Sequence, residues 1–418
     1  MAREYIGPYI FFMHTQEKTH TGFGTLTISP GLLHRITGLG YTVPTPIQHR
    51  SIPLLIQGKD LMGIAQTGTG KTLAFAVPVI QRIAHLKCRA LVMVPTRELA
   101  LQVNETFEKV GKGAGLRTAV LIGGADIRHQ IRSLSSNPHV IIGTPGRIND
   151  LLTRKSLKLS EVKILVLDEA DRMLDMGFAP QIKRIMEVVP SDRQTMLFSA
   201  TMPPEIHKIA SAYLSGPEHV EVARAGTLAH GIEQEVQVVA VGTRVEELER
   251  ALKKNPGTAL VFVRTKHAAK KLSFELRHRG FHAAEIHANR SLSQRRAALD
   301  GFKSGRYQVL VATDIAARGI DVSDIGMVIN FDLPESPEDY VHRIGRTGRA
   351  GKSGKALSFA LPNQRHLVAA IERLVNTSIK LTGVEFSRHE KPASSRGGHF
   401  SSKKRGAPHR RFYRTSSR

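Results

Sequence analysis

The chain has 418 residues, more than one ordinary domain needs and enough for two with a short extension. Hydrophobic residues make up 41%, enough to bury two cores, yet no apolar run is long enough to cross a bilayer. Lys and Arg total 60 against 36 Asp and Glu, a net charge of +24, which favours a polyanionic partner, nucleic acid before a membrane surface. The chain opens with an apolar segment, Tyr5–Met13, broken by Pro8 and not preceded by a basic cluster, so residues 1–23 are expected to be a loosely ordered extension and not a secretory signal. The single cysteine, Cys88, excludes an internal disulfide or a cysteine zinc cluster. Beside the apolar run Ala90–Val94 it is expected to be a buried structural thiol, and a reducing, cytoplasmic setting fits.

Short runs rich in Val, Ile and Leu recur along the chain, each followed by a longer segment with helical spacing. In the first half they are Ala90–Val94, Ala119–Ile122, Val140–Ile142, Ile164–Leu167 and Thr195–Phe198. In the second they are Ala259–Val263, Ala283–Ile286, Val309–Val311, Met327–Phe331 and Ala356–Ala360. Apolar runs of this length without strict alternation predict strands buried on both faces of a parallel sheet. Helices are predicted at Arg97–Val110 and Lys266–Arg279. The fold class is therefore α/β, with two tandem domains, each a mainly parallel sheet flanked by helices. We place the first domain at 24–222, a linker at 223–229 and the second domain at 230–383. Residues 384–418 form a basic tail: Arg388–Arg418 holds ten Lys and Arg and one acid, Glu390, and leaves the rest of the chain at +15. Its Ser, Gly, Arg and Lys content predicts disorder.

Ala65-Gln66-Thr67-Gly68-Thr69-Gly70-Lys71-Thr72 is a phosphate-binding pattern. Gly68 and Gly70 let backbone N–H groups, that of Thr69 among them, turn around phosphate oxygens. Lys71 supplies a cation to the β- and γ-phosphates of ATP, and the Thr72 hydroxyl suits Mg²⁺. A plain Gly/Thr-rich turn is the alternative; the Gly-Lys-Thr ending and the apolar Leu73–Ile80 weigh against it. Ala65 stands where the general pattern has its first Gly. About a hundred residues on, the run Ile164–Leu167 ends in Asp168-Glu169-Ala170-Asp171. Carboxylates there point into the crevice at the end of a parallel sheet. Asp168 suits Mg²⁺ and Glu169 suits a base that activates the attacking water.

Asp168-Glu169-Ala170-Asp171 resembles the signature of the DEAD-box RNA helicases, and the likeness runs from Phe23 to about Ala360 through many motifs in order. Within that family the compact core and short basic tail look like the bacterial RhlE type. The resemblance implies two RecA-like domains and an RNA-dependent ATPase that uses ATP and Mg²⁺. Gly40–Gln48 looks like the Q motif, in which Gln48 would read the adenine edge and Phe23 would stack on the ring; an apolar anchor is the other reading of Phe23. Pro95, Thr96, Arg97, Gly124, Thr144 and Arg147 match residues that line the RNA backbone in the family, and Thr313 matches a phosphate contact in the second half. Ser199 and Thr201 match the motif that couples hydrolysis to strand separation, bridging to Asp171; capping the helix that begins near Pro203 and Pro204 is the local alternative. By resemblance Asp321 contacts the ribose, His342 joins the network beside the site, and Arg346 and Arg349 are arginine fingers. Two places depart from the family: Ala288 and Leu292 stand where Gly and Gln are usual, while Arg295 and Phe302 keep their spacing.

The resemblance implies a monomer that closes on ATP and RNA, separates a few base pairs and reopens after hydrolysis, with no membrane partner. Ribosomal precursors or RNA-decay proteins are the associates expected. Two other readings stay open: an ATP-gated RNA clamp with little turnover, and a DNA-directed helicase of a related superfamily.

Overall fold

A computed structural model describes residues 22–66, 68–222, 231–317, 325–348 and 353–386. The expected linker, nearly all of the N-terminal extension and all but the first three residues of the expected tail therefore lie outside the described residues. After a 3-10 turn at Phe23–Thr25, the first half runs α1 (Pro30–Gly38), α2 (Pro46–Ile56), β1 (Leu61–Ile64), α3 (Lys71–Leu86), β2 (Arg89–Met93), α4 (Arg97–Gly111), β3 (Thr118–Leu121), α5 (Ile127–Ser135) and β4 (Val140–Gly143). It continues with α6 (Pro145–Thr153), β5 (Val162–Leu167), α7 (Ala170–Asp175), α8 (Ala179–Val188), β6 (Gln194–Ser199), α9 (Pro204–Tyr213) and β7 (Glu218–Glu221). The second half runs β8 (Ile232–Val238), α10 (Arg244–Lys254), β9 (Ala259–Phe262), α11 (Lys266–His278), β10 (Ala283–Ile286), α12 (Leu292–Lys303) and β11 (Val309–Ala312). It ends with α13 (Asp314–Ala317), β12 (Met327–Asn330), α14 (Pro337–Ile344), β13 (Gly354–Ala360), α15 (Arg365–Val375) and β14 (Lys380–Gly383).

The strands form two sheets of seven, in the orders β3-β4-β2-β5-β6-β1-β7 and β10-β11-β9-β12-β13-β8-β14. Renumbered from its own first strand, the second order repeats the first. Every pairing is parallel. The ten predicted strands are present, each within two residues at its ends, and β1, β7, β8 and β14 complete the sheets.

Alternate residues of single strands feed opposite cores, which is why the runs are apolar throughout. On β2 and just beyond it, Ala90, Val92 and Val94 join one cluster while Leu91 and Met93 join the other. On β9, Leu260 and Phe262 face one cluster, and Ala259 and Val261 the other. Burial on both faces of each sheet is the main stabilising contribution, at about 25 cal/mol per Å² of apolar surface. Cys88 differs from expectation: it is half-buried at the rim of the first cluster, and burial pushes its thiol pKa up.

Local signals set the helix starts at the strand ends. Thr96 caps α4 by accepting the Leu99 N–H at 3.2 Å, and Thr265 caps α11 by accepting that of Ala268 at 3.1 Å. Ser291 and Gln294 form a reciprocal capping box on α12. At the opposite end of the first sheet, Asp60 ties three segments together. Its two carboxylate oxygens accept the Thr195 and Ser215 N–H groups, each at 2.7 Å. Asp60→Ala leaves the Thr195 N–H buried without an acceptor and removes two charge-assisted bonds. We expect it to lower stability by about 3 kcal/mol in urea unfolding followed by circular dichroism; a shift near zero would mean that water replaces the carboxylate there. Among the described residues, no helix is long and apolar enough to cross a membrane.

Candidate active site and nucleic-acid edge

The phosphate loop leaves β1 and enters α3 at Lys71. Gly70 sits in the left-handed region at φ +86°, and a Cβ there would come within 2.2 Å of the Gln48 Nε2. Only glycine lets the loop pass so close to α2. Gln48 is buried at the third residue of α2, where its Oε1 accepts the Thr45 N–H at 2.9 Å and its Nε2 donates to the Gly70 carbonyl at 3.1 Å. One N–H and one lone pair of the amide remain for a ligand. The Thr45 hydroxyl donates to the Thr69 carbonyl at 2.7 Å, so the turn before α2 holds the loop at two points. The buried Lys71 ammonium donates to the Ala65 carbonyl at 2.9 Å.

β5 ends beside the loop. Asp168 is buried, and its Oδ1 accepts the Glu169 N–H at 3.0 Å. Burial pushes its pKa up to about 7; Lys71 pulls it down, while Glu169 and Asp171 push it further up. Glu169 is a non-glycine residue in the left-handed region, at φ +51°, and its Oε2 is buried with no hydrogen-bond partner. The Arg172 Nε lies 3.9 Å from it. Asp171 accepts at one oxygen from the Ala200 N–H (3.1 Å), the Thr201 N–H (2.9 Å) and the Thr201 hydroxyl (2.8 Å). Burial pushes its pKa up, but Lys71, Arg172, His342 and the Thr201 bond outweigh that and hold it below the usual carboxylate range. The two hydroxyls of that motif therefore separate. Thr201 bridges to Asp171, while the fully buried Ser199 hydroxyl has no hydrogen-bond partner and the Ser199 carbonyl accepts the Ala65 N–H at 3.0 Å. Neither caps α9, whose N-cap is Pro203.

A cavity of about 620 Å³ gathers Gln48, Gly68, Gly70, Lys71, Thr72, Asp168 and Glu169 from the first half and Arg346 and Lys303 from the second. A second, of about 300 Å³, brings Thr201 together with His342. Phe23 is not in this assembly: its ring is 2% exposed inside the first apolar cluster with Leu26 and Ile28. Leu39 and Tyr41 line the cavity instead, from the segment between α1 and α2; Tyr41 lies within the Gly40–Gln48 motif, in which only Gln48 was given a role. Asp321, Arg349 and Thr67 lie outside the described residues.

The residues expected to meet RNA collect along one edge of the first sheet. Pro95, Thr96 and Arg97 follow β2, Gly124 follows β3, and Thr144 and Arg147 follow β4, and these three strands are neighbours. The Arg97 guanidinium lies so close to Gly124 that a Cβ there would come within 2.3 Å of its Nη1. Arg147 reaches the Ala125 carbonyl at 3.4 Å and Asp150 at 3.6 Å. Thr313 holds the matching place in the second sheet, after β11.

Two features across the cleft were not foreseen. Arg295 Nη2 of α12 pairs with Glu98 Oε2 of α4 at 2.9 Å, both side chains buried. Leu292, one of the two departures, packs against the first half's apolar cluster, so that place carries an apolar contact between the halves. Arg343, by contrast, is absorbed within its own half. It holds Asp314 through two bonds at 2.6 and 2.7 Å, and reaches Asn330 at 3.0 Å and the Asp332 carbonyl at 2.7 Å.

The DEAD/DEAH box helicase family matches residues 45–209, and the helicase conserved C-terminal domain matches residues 243–351. The chain belongs to the DEAD-box helicase family. The DEAD-box ATP-dependent RNA helicase CshA of Bacillus cereus is 46% identical over 356 residues, covering 84% of this chain and 68% of that protein. CshA of Bacillus subtilis is 44% identical over 354 residues, 84% and 72% of the two chains. Among solved structures, S. cerevisiae Dbp5 bound to RNA and ADP BeF3 superposes with a TM-score of 0.79 at 32% identity, covering 87% of this chain and 95% of that one. The two sheets of this DEAD-box protein are thus the tandem RecA-like domains, and the 620 Å³ cavity lies between them.

Proposed function

We propose that the protein couples the binding and hydrolysis of ATP to local, largely sequence-independent separation of RNA duplexes or remodelling of RNA–protein complexes. The observation that carries this reading is the cavity in which the phosphate loop and Glu169 of one domain meet Arg346 of the other. ATP would seat its phosphates on Gly68, Thr69, Gly70 and Lys71, with the base near Gln48, Leu39 and Tyr41. Glu169, with one oxygen unpartnered, would take a proton from the attacking water. Arg346, and by resemblance Arg349, would meet charge growing on the γ-phosphate only when the domains are together. Asp321 would hold the ribose. Asp171, Thr201 and His342 would report closure from the phosphate site to the cleft, and the edge from Pro95 to Arg147 with Thr313 would hold RNA by its backbone.

Mg²⁺ fits the donors present. Asp168 is a buried carboxylate whose raised pKa marks a negative charge short of a compensating cation, and Thr72 adds a hydroxyl in the same cavity. One carboxylate and one hydroxyl suit an ion that would complete its shell on substrate phosphates. When bound, Mg²⁺ would neutralise phosphate charge. Asp168 must lose its proton for this, so ATP affinity in the presence of Mg²⁺ should rise about tenfold per pH unit up to about pH 7 and flatten above it. Fluorescent-nucleotide titration across that range checks this, with Asp168→Asn expected to abolish the slope.

We further propose a cytoplasmic monomer with domains at 24–222 and 230–383, working on ribosomal precursors or RNAs bound for decay. The test of the main reading is the ATPase rate with and without single-stranded RNA, against an equal mass of DNA. Strong stimulation by RNA alone is expected. Equal stimulation by DNA would overturn the RNA assignment, and tight RNA binding without turnover would favour the clamp.

A further inference from the structure

The outer face of α11 has no part in the site above. On a helical wheel, Lys266, Lys270, Phe274, His267, His278 and Lys271 fall within an arc of about 140°, and all six are exposed. Phe274 stands near the middle of that arc and is 56% exposed, the only phenylalanine among the described residues classed as exposed. The His278 ring packs on it with centroids 4.1 Å apart, its Nδ1 lying 3.1 Å from the Phe274 carbonyl. No carboxylate falls within the arc. Arg277 also falls within the arc, bonded to Ser273 at 2.7 Å and 3.9 Å from the buried Glu285, while Glu246, Glu249 and Glu275 are drawn to Arg279 at 3.3, 2.5 and 3.4 Å. Nothing in the packing of the domain calls for this arrangement, because α11 buries its opposite side through Ala269, Leu272 and Leu276.

Three lysines around an exposed aromatic platform are complementary to a polyanion that carries flat apolar bases. The face also continues the edge assigned to RNA. β9 and β11 are parallel neighbours with Phe262 opposite Ala312, so Arg264 and Thr265, which open α11, stand beside Thr313. From there the face runs about 18 Å along the helix. α11 shares its layer with α10, on the side of the sheet away from α12 and Leu292, which meet the first domain. A strand leaving Thr313 would therefore turn out of the cleft onto it.

We propose that the Lys266–His278 face of α11 is an accessory site for single-stranded RNA that flanks the segment held in the core, with Phe274 stacking a base and Lys270 and Lys271 pairing with phosphates. This rests on the RNA reading of the core. The face lengthens the occupied stretch without touching ATP chemistry, so it raises affinity for long RNAs only.

The test measures binding of the full chain, with a non-hydrolysable ATP analogue, to oligouridylates of about 8 and about 30 nucleotides. Phe274→Ala with Lys270→Glu and Lys271→Glu should weaken binding of the long RNA about tenfold or more and leave the short one unchanged. The two lysine changes should reduce the salt slope for the long RNA by about 1.4. Phe274→Trp should keep wild-type affinity, which separates stacking from loss of fold. Equal losses on both lengths would overturn the proposal in favour of an effect on the core. Unchanged affinity for the long RNA would overturn it in favour of another occupant, such as an acidic protein. Failure of the unaltered protein to bind the short RNA would instead strike at the core assignment.

Discussion

Glu169→Gln should lower RNA-stimulated ATP turnover about 10³-fold while leaving nucleotide and RNA binding close to wild type. The amide has the shape of the carboxylate but cannot accept the proton of the attacking water. Because Oε2 has no hydrogen-bond partner, the exchange gives up only the 3.9 Å approach of the Arg172 Nε. The neighbours keep their own contacts: Asp168 holds the Glu169 backbone N–H and Asp171 holds Thr201. Steady-state turnover, set beside nucleotide and RNA titrations of the same preparation, checks the split. Turnover within tenfold of wild type would mean that another group activates the water.

The second large effect distinguishes two arginines three residues apart. Arg346→Ala should cost about 10³-fold in turnover, because Arg346 meets the phosphate cavity and acts on charge that develops there. Arg343→Ala should do the opposite damage. It removes the bidentate partner of Asp314 and strands the Asn330 and Asp332 acceptors, a loss of about 3–5 kcal/mol for a broken buried pair. Thermal unfolding and ATPase rate measured on both variants decide it. If Arg343→Ala folded normally and only turnover fell, the division between a structural and a catalytic arginine would be wrong.

Most of the architecture was readable because parallel strands buried on both faces carry continuous apolar runs, as in Ala90–Met93 of β2, Ile164–Leu167 of β5, β9 and β11. The four missed strands do not. β7 reads Glu-His-Val-Glu and β8 alternates from Ile232 to Val238, since each has at least one half-exposed side; β14 is a short sheet edge, and β1 contains Gly63. The phosphate loop and acidic turn were legible because their chemistry needs fixed residues at fixed spacing. The base-facing wall was not. Phe23 and Tyr41 are both aromatic, and only the path of the chain before α2 decides which lies inside the core and which at the cavity. The Glu98–Arg295 pair was likewise hidden, because nothing local in either helix signals a partner almost two hundred residues away.

The left-handed backbone at Glu169 carries a consequence for how such a chain ages. Holding a side chain there costs about 1–2 kcal/mol, a burden that glycine would not bear. A lineage released from the need for turnover would gain stability by replacing this residue, and drift toward glycine would mark it as a retired motor. A glutamate at so awkward a bend sets the demand of a reaction against the preference of the fold.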